Sequence, residues 1–227
     1  MPPRAEKKQQ TRQGLLMAAL ELMETGRGFC SLSLREVTRL TGLVPAAFYR
    51  HFPDMDHLGL ALVEEVSQTF RAAIREVRHN EFDLGGAIDA SVQIFLTYVH
   101  ENRRQFLFLA REQFGGSLLV RQAIAEMMQA IASDLAADLE LQGRLGHLTR
   151  TDLELLSDLV VKTVLSTLPE VLEDSAPEPA SRLSPQVRLN HLLRFILVGA
   201  KQWRGMSPPA DQTGTDRASG TRPLGKA

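Results

Sequence analysis

Residues 44–51, Val-Pro-Ala-Ala-Phe-Tyr-Arg-His, combine small side chains with hydrogen-bond donors. Arg50 and His51 can donate to phosphates or to base edges, and Tyr49 can donate its phenolic hydrogen to a phosphate. The two alanines are small enough to let a helix backbone approach base edges closely. These residue types therefore suit contact with duplex DNA, provided that neighbouring elements present them on an exposed helix.

The segment that precedes them predicts a short capped helix. Ser33 is followed three residues later by Glu36, which is the spacing of a capping box. In such a box the serine hydroxyl accepts the backbone N–H of the glutamate, and the carboxylate bonds back to the serine N–H. From there Leu34, Val37 and Leu40 recur at helical spacing, which predicts one apolar face.

A second short helix is predicted after a glycine hinge. Thr-Gly-Leu at 41–43 should end the first helix, because glycine tolerates the left-handed backbone found at helix ends. Pro45 suits the first turn of a new helix, in which Phe48 and Phe52 are expected to face the core. This layout is that of a helix-turn-helix, whose second helix can enter the major groove. An ordinary helical hairpin inside an α-helical domain gives the same pattern.

Basic residues are concentrated at the N-terminus. The first twelve residues hold one acid, Glu6, and four basic side chains: Arg4, Lys7, Lys8 and Arg12. A basic arm beside a helix-turn-helix can track phosphates or enter the minor groove. The alternative interpretation is a solvated tail.

The segment from about residue 11 to residue 58 resembles the N-terminal domain of TetR-family transcriptional regulators. The resemblance rests on an amphipathic helix before the hinge, the hinge itself, the Phe-Tyr-Arg-His-Phe signature at 48–52, and Leu58 at the start of the next helix. Within that family, residues 31–37 and 48–56 are most similar to the FabR/DesT group. That group controls unsaturated fatty-acid synthesis and desaturation.

One residue departs from the family pattern. Many members carry a phosphate-contacting lysine where this chain has Met55. Anchoring to the DNA backbone would then come from elsewhere, for example from the amide groups at the start of the following helix.

Length, composition and cysteine content exclude several classes of protein. With 227 residues, 44% of them hydrophobic, and a net charge of −1, the chain can form one or two domains and is not a globally basic coat protein. It has no apolar run long enough to predict a membrane span, and its start lacks the apolar region of a signal peptide. The single Cys30 excludes an internal disulfide, which fits the cytoplasm. A semi-buried packing role is favoured for this thiol over a redox switch.

Helical periodicity continues along the rest of the chain without a strand pattern, so the predicted fold class is all-α. Besides the two short helices, the predicted helices span about 9–25, 55–79, 84–101, 103–113, 117–141, 155–172 and 184–203. Capping residues are predicted before the last two of these, namely Thr151 with Glu154, and Ser184 with Pro185.

The elements divide into three regions. Residues 1–54 are predicted to form the DNA-binding helix-turn-helix domain, and residues 55–205 the ligand-binding and dimerisation domain. Residues 173–184 are predicted to be a loop. Residues 206–227 are rich in Pro, Gly, Ser and Thr, which predicts a disordered tail.

The last two long helices carry more apolar surface than one contact side needs. Their apolar residues are Val160, Val164 and Leu168 on the first, and Leu189, Leu192, Leu193, Ile196 and Ala200 on the second. Two such helices from each of two subunits can form a four-helix bundle, or they can close the core of a monomer. The resemblance implies a homodimer, because TetR-like proteins dimerise through their final two helices.

The middle of the chain is rich in aromatic and flexible apolar residues. The candidate ligand-binding residues are Phe70, Ile74, Phe95, Val99, Phe106, Leu109, Arg111, Glu112, Phe114, Met128 and Ile131. Apolar walls with a few polar groups are typical of a small-molecule site, and methionine adapts to irregular contours. Plain core packing produces the same pattern.

The FabR/DesT resemblance implies a particular ligand for this region. Regulators in that group sense long-chain acyl thioesters of coenzyme A or acyl carrier protein. The cations of Arg103, Arg104 and Arg111 would then meet the phosphates or the thioester end. The alternative is that Arg111 and Glu112 pair with neighbouring charges and stabilise helix packing.

An enzymatic role is not predicted. The six histidines are scattered without the His-x-x-x-His spacing of metal ligands. Ser117 follows two glycines but lacks the nucleophile-elbow pattern and its supporting sheet. We expect neither a cofactor nor a metal. A purely structural helical module that binds another protein is disfavoured by the capped hairpin and the basic N-terminus.

The resemblance as a whole implies a cytoplasmic, homodimeric repressor that binds a palindromic operator in double-stranded DNA. It would control fatty-acid desaturation or unsaturated fatty-acid synthesis, with DNA affinity tuned by long-chain acyl-CoA. Contacts to phosphates or in the groove are assigned to Arg4, Lys7, Lys8, Arg12, Tyr49 and His51. Base recognition is assigned to Arg35, Val44, Ala46, Ala47 and Arg50, with Pro45 on the same surface. The alternative is a TetR-like repressor that responds to another hydrophobic small molecule and controls, for example, an efflux pump.

Overall fold

The structure is a computed structural model that describes residues 3–78, 84–173 and 183–205. Within these residues it contains ten α-helices, one 3-10 helix and no strand, so the predicted all-α fold class is confirmed. The helices are α1 (Arg4–Glu24), the 3-10 helix (Phe29–Ser31), α2 (Leu34–Leu40), α3 (Pro45–Phe48), α4 (Met55–Arg78), α5 (Leu84–Glu101), α6 (Arg103–Glu112), α7 (Leu118–Gln142), α8 (Arg150–Ser166), α9 (Leu168–Leu172) and α10 (Pro185–Gln202). In the described part of the chain, no helix combines the length and the apolar character needed to cross a bilayer.

Helix α1 begins earlier than its apolar pattern predicts. Its N-cap is Pro3, and the Lys7 N–H donates to the Pro3 carbonyl at 3.1 Å. Alanine, glutamate, lysine and glutamine fill residues 5–10, and all of these favour helix. The prediction of a basic arm ahead of the helix is therefore wrong, because its residues form the first turns of α1.

The first short helix and the glycine hinge form as predicted, and the second short helix begins where it was predicted. The Glu36 N–H donates to Ser33 Oγ at 3.2 Å, and the Ser33 N–H donates to Glu36 Oε2 at 2.9 Å, which confirms the capping box. Gly42 lies in the left-handed region, with φ of 68°, at the end of α2. Pro45 is the first residue of α3. The predicted helix, the hinge and the start of the second helix are therefore present. The second helix is shorter than predicted, because α3 ends at Phe48 and the residues 49–51 form the turn that follows it.

One predicted member of the apolar face of α2 is exposed. Val37 is buried and Leu34 is half-buried, whereas Leu40 is 46% exposed. Each step of three residues rotates by about 60° around a helix, so Leu40 lies about 120° away from Leu34. The prediction that Leu40 shares one apolar face with Leu34 and Val37 is therefore wrong.

The helix predicted at 155–172 begins at a different cap. The Asp152 N–H donates to Thr149 Oγ1 at 3.2 Å, and the Thr149 N–H donates to Asp152 Oδ2 at 3.0 Å. The predicted box of Thr151 with Glu154 is therefore wrong. Both threonines precede an acid by three residues, and the upstream box gives the longer helix, which buries Leu153.

The same predicted helix is also interrupted at Thr167, between α8 and α9. Pro169 lies in the first turn of α9. Proline has no N–H to donate and clashes with the preceding turn, so it cannot continue the hydrogen-bond ladder of α8.

Helix α10 begins with Ser184 as its cap and Pro185 in its first turn, as predicted. Most of the predicted loop at 173–184 and the whole of the predicted tail at 206–227 lie outside the described residues.

A large cluster of buried apolar side chains runs from the first helix to the last. It contains Leu16 of α1, Phe48 of α3, Leu62 of α4 and Leu189 of α10, all fully buried. Helix α4 has 24 residues and is therefore about 36 Å long. Because α4 contributes buried residues from Leu58 to Phe70 and packs against α1 as well as α5, α6 and α7, it connects the N-terminal helices to the remainder of the protein.

Helices α4 and α7 approach each other closely at Gly59, which gives the first prediction. A Cβ at this position would lie 2.6 Å from Val120 Cγ2 and 2.9 Å from Phe29 Cε1. We expect Gly59→Ala to lower the free energy of unfolding by about 1–3 kcal/mol, because the core must shift to admit the methyl group. Urea unfolding followed by circular dichroism measures this change.

Gly14→Ala is the matched control. Its Cβ would meet only Thr41 Cγ2, at an ordinary 3.9 Å. Replacing a helical glycine with alanine should then raise the free energy of unfolding by about 0.5–1 kcal/mol. If Gly59→Ala stabilises the protein as Gly14→Ala does, the close approach of α4 and α7 is refuted.

The capping box predicts how stability depends on pH. Hydrogen bonds from Arg27 and then Ser33 lower the pKa of Glu36 from 4.5 to about 2. The lowered pKa means that the ionised carboxylate favours the folded state. The stability that Glu36 adds relative to Glu36→Gln should therefore be complete above pH 4.5 and disappear as the pH falls toward about 2. Denaturant titrations of both proteins across this range test it, and a constant difference would contradict the assignment.

Candidate functional site

Helix α3 buries one side and exposes the other. Phe48 is fully buried, and its ring centroid lies 5.6 Å from that of Phe52. On the opposite side Val44 is 67% exposed and Tyr49 is 63% exposed. Arg50 is also exposed. Val44, Tyr49 and Arg50 therefore face outward, on an element held in place by a buried phenylalanine, whereas His51 is half-buried.

The two alanines of α3 lie on the same outer side. Ala46 is exposed and Ala47 is half-buried, while Pro45 is exposed at the start of the helix. Arg35 is exposed on α2. These positions leave the backbone of α3 open to close approach by another molecule.

The first turns of α1 bring positive charge to the end of α3. Arg12 places its guanidinium carbon 5.1 Å from the centre of the Phe52 ring. Burial lowers the pKa of His51, and the positive charges of Lys8, Arg12 and Arg50 lower it further. We call Lys8, Arg12, Arg50 and His51 the basic cluster. Lys8 and Arg50 are exposed and Arg12 and His51 are half-buried, and cations gathered at one place favour the binding of phosphate.

The remaining predicted DNA contacts are less closely placed. Lys7 is exposed on α1, and the side chain of Arg4 lies outside the described part of the chain. Met55 is partly buried against the core. At the start of α4, the His57 N–H donates to Asp54 Oδ1 at 2.9 Å. One of the amides suggested as a substitute for the family lysine is therefore already bonded within the protein.

Three of the predicted ligand-binding residues meet in one buried aromatic cluster. Phe70 comes from α4, Phe95 from α5 and Phe106 from α6, and all three are buried. The Phe70 ring centroid lies 5.8 Å from that of Phe95 and 5.3 Å from that of Phe106. The Phe95 and Phe106 rings are 6.1 Å apart, edge to face. In this structure the three rings occupy the space between the helices.

Other predicted ligand-binding residues surround the same core or lie elsewhere. The buried ones are Val99, Leu109 and Ile131, and Met128 is partly buried against them. Phe114 is 85% exposed, so its assignment to an apolar wall is wrong. The side chain of Ile74 lies outside the described part of the chain.

The cations expected near a ligand bond to backbone and to neighbouring helices. Arg103 donates to the Leu172 carbonyl at 2.7 Å, and Arg104 pairs with Glu24 at 3.0 Å. Arg111 donates to the Met23 carbonyl at the end of α1.

Glu112 also departs from its predicted place at the ligand. It is buried, and its Oε1 accepts the Phe29 N–H at 2.8 Å. The sequence gives no signal for either bond, because Glu112 and Arg111 each lie more than eighty residues from the residue to which they bond.

Cys30 is exposed, so the expected semi-buried position is wrong. Partial burial of its Sγ still raises the pKa of the thiol, and the negative charges of Glu112 and Asp56 raise it further. A raised pKa keeps the thiol protonated at neutral pH, which disfavours thiolate chemistry.

The outer sides of α8 and α10 expose large apolar residues. The predicted dimer residues are instead turned inward: Leu168, Leu189, Leu193 and Ala200 are buried, and Val160, Val164, Leu192 and Ile196 are half-buried. The exposed set consists of Leu155, Leu159, Val187, Phe195 and Val198. Helical spacing did not reveal this set, because both helices carry apolar residues on two sides.

Two segments of the chain match known protein families. Residues 15–62 match the family described as bacterial regulatory proteins of the tetR family, and residues 84–199 match the tetracyclin repressor-like C-terminal domain. A TetR-like transcriptional regulator from Rhodococcus sp. RHA1 has a similar structure, with a TM-score of 0.62 and 20% identity over 88% of this chain and 100% of that one.

Two regulators named FadR share the fold. The fatty acid degradation regulator FadR from Bacillus halodurans matches with a TM-score of 0.65 and 15% identity, over 83% of this chain and 95% of that one. FadR from Bacillus subtilis, solved in complex with stearoyl-CoA, matches with a TM-score of 0.64 and 14% identity, over 82% of this chain and 98% of that one.

The two matched segments together cover most of the sequence, and the second alone covers half of it. The exposed face of α3 and the basic cluster lie within the first segment or beside it. The chain therefore belongs to the TetR family and is a DNA-binding transcriptional regulator.

Proposed function

We propose that the protein is a homodimeric repressor whose affinity for a palindromic operator is set by a long-chain acyl-CoA. The observation that carries the DNA-binding part is the exposed outer side of α3 beside the basic cluster. The ligand part is supported by the aromatic cluster and by a fold shared with a regulator solved with stearoyl-CoA.

On DNA, the exposed side of α3 would lie in the major groove. Arg50 is the candidate for hydrogen bonds to base edges, and the methyl groups of Val44 and the alanines are candidates for apolar contact. Lys8, Arg12 and Tyr49 would fix the register through phosphates, which supply affinity rather than sequence preference. The phosphates would also relieve the repulsion between the cations of the basic cluster.

A second subunit would be held by the exposed apolar sides of α8 and α10. Pairing of these helices from two copies would bury Leu155, Leu159, Phe195 and Val198 in a four-helix bundle. Reading two half-sites on one side of the duplex requires the two α3 helices to lie about 34–36 Å apart. Dimerisation therefore sets the spacing on which operator affinity depends.

An acyl chain would act by separating the three rings of the aromatic cluster. Each buried methylene stabilises the complex by about 0.8 kcal/mol, so a long chain can displace close ring contacts. A straight chain and a kinked unsaturated chain fill such a slot differently. Because Phe70 lies on α4, which also contacts the N-terminal helices, the two shapes would favour different tilts of α4 and different α3 spacings.

The regulated genes would then be those of fatty-acid desaturation or unsaturated fatty-acid synthesis. A regulator of this kind acts in the cytoplasm, where both operator and acyl-CoA are present. Another hydrophobic effector could bind between the same three rings, and a comparison of operator affinity with different acyl-CoA ligands distinguishes the two possibilities.

Arg50→Ala should weaken operator binding about tenfold or more without changing helicity or dimerisation. The lost contact is expected to be worth about 1–3 kcal/mol if Arg50 bonds a base edge. Fluorescence anisotropy with an operator selected from random DNA measures the change. Arg150→Ala, an exposed arginine at the start of α8 that pairs with Glu140 and Glu154, is the control and should bind as the wild type does. Unchanged affinity of Arg50→Ala would remove Arg50 from the interface.

Operator affinity should differ at least about fivefold between saturating palmitoyl-CoA and saturating oleoyl-CoA, with free coenzyme A as the reference. Phe95→Ala, which removes one ring of the aromatic cluster, should reduce the difference. Phe114→Ala removes an exposed ring and should leave it unchanged. Identical operator affinity with both acyl-CoA ligands would reject the sensing of chain shape.

A further inference from the structure

The connection between α1 and α2, residues 25–33, packs against other helices of the protein. Phe29, at the start of the 3-10 helix, is buried and packs edge-on against Phe108 of α6, with ring centroids 5.8 Å apart. Gly59 of α4 and Val120 of α7 lie close to the same ring, as the atoms around Gly59 show. The segment that leads directly into the helix-turn-helix is therefore enclosed by α4, α6 and α7.

The last residues of α6 bond to the last turn of α1 and to the middle of this connection. Glu112 Oε1 accepts the Phe29 N–H at 2.8 Å, and Arg111 donates to the Met23 carbonyl at 2.5 Å. We call this pair of bonds the α6 attachment. Each joins a charged side chain to backbone, and charge-assisted bonds are stronger than neutral ones. The α6 attachment therefore links the backbone of the N-terminal helices directly to α6.

The carboxylate of Glu112 is held in a confined place. Its Oε2 is buried and has no hydrogen-bond partner among the described residues. Gly115 lies so close that a Cβ there would be 1.9 Å from this oxygen. The bond from the Phe29 N–H and the close approach of Gly115 together hold the carboxylate in one position.

The other half of α6 carries Phe106 in the aromatic cluster. Phe106 and Glu112 lie on one continuous helix of ten residues, about 15 Å long. A rigid helix of this length moves as a unit. Any displacement of Phe106 therefore reaches Phe29 through Glu112, which accepts its N–H, and through Phe108, which packs edge-on against its ring.

We propose that Glu112 is a positioning residue that fixes the helix-turn-helix relative to α6 and thereby sets the spacing of the two α3 helices. The proposal rests on the DNA-binding part of the proposed function and is independent of the identity of the effector. It adds a second mechanical connection to the one provided by α4. Without it, each DNA-binding unit would keep its own fold but would lose its fixed orientation.

Two variants break the attachment in different ways. Glu112→Ala removes the acceptor for the Phe29 N–H, and Gly115→Ala displaces the carboxylate while leaving it in the chain. Glu170→Ala is the control, because Glu170 is an exposed carboxylate whose partner, Arg188, lies on α10. If Glu112→Ala does not fold, the proposal is tested with Gly115→Ala alone.

Binding to one half-site is compared with binding to the full operator. Both variants should weaken binding to the full operator at least tenfold and binding to a single half-site less than threefold, because only the full operator reports the spacing. A variant that merely destabilises the helix-turn-helix would weaken both equally. Equal weakening, or none, overturns the proposal.

Hydrogen exchange of the full-length protein gives a readout that needs no DNA. The Phe29 amide should exchange at least tenfold faster in Glu112→Ala and Gly115→Ala than in the wild type, and at the wild-type rate in Glu170→Ala. Unchanged exchange at Phe29 overturns the proposal. A wild type that binds neither DNA fragment rejects the proposed function instead, and the exchange rates then decide on the attachment by themselves.

Discussion

The burial of Phe48 is the constraint on which the DNA-binding surface depends. Helix α3 has only four residues, and a helix this short has no stability of its own. Its orientation comes from the Phe48 side chain in the core, and from the Leu43 N–H bonded to the Thr38 carbonyl at 2.8 Å across the hinge. Once these are fixed, Val44, Ala46 and Arg50 must face outward. The burial of Phe48 therefore decides which side chains of this segment are exposed to DNA.

The same core makes the recognition surface sensitive to the rest of the protein. Its cluster of apolar side chains passes from Phe48 through α4 to the aromatic cluster without interruption. Close-packed interiors transmit displacement, since a side chain cannot move without its neighbours. Helix α4 and the α6 attachment are two connections between the aromatic cluster and α3. The proposed regulation by a ligand would need such connections, because it requires a change in the spacing of the two α3 helices.

Local signals in the sequence were sufficient to predict the helix-turn-helix. The capping box of Ser33 and Glu36, the turn at Gly42 and the start of α3 at Pro45 each depend on neighbours within a few residues. Long-range partners had no such signal, so the bonds of Arg111 and Glu112 to the N-terminal helices were not predicted. Phe114 shows the limit of composition, because it shares the residue type of the buried rings but lies in a turn that exposes it. Where two local signals overlapped, as for Thr149 and Thr151, spacing alone could not choose between them.

The most direct test of this account is methylation protection of guanine N7 on a selected operator, since N7 lies in the major groove. If α3 of each subunit enters that groove, bound protein should protect guanines in two half-sites whose centres are about one helical turn apart. Binding without any protection of N7 would show that α3 does not enter the major groove, and it would contradict the account.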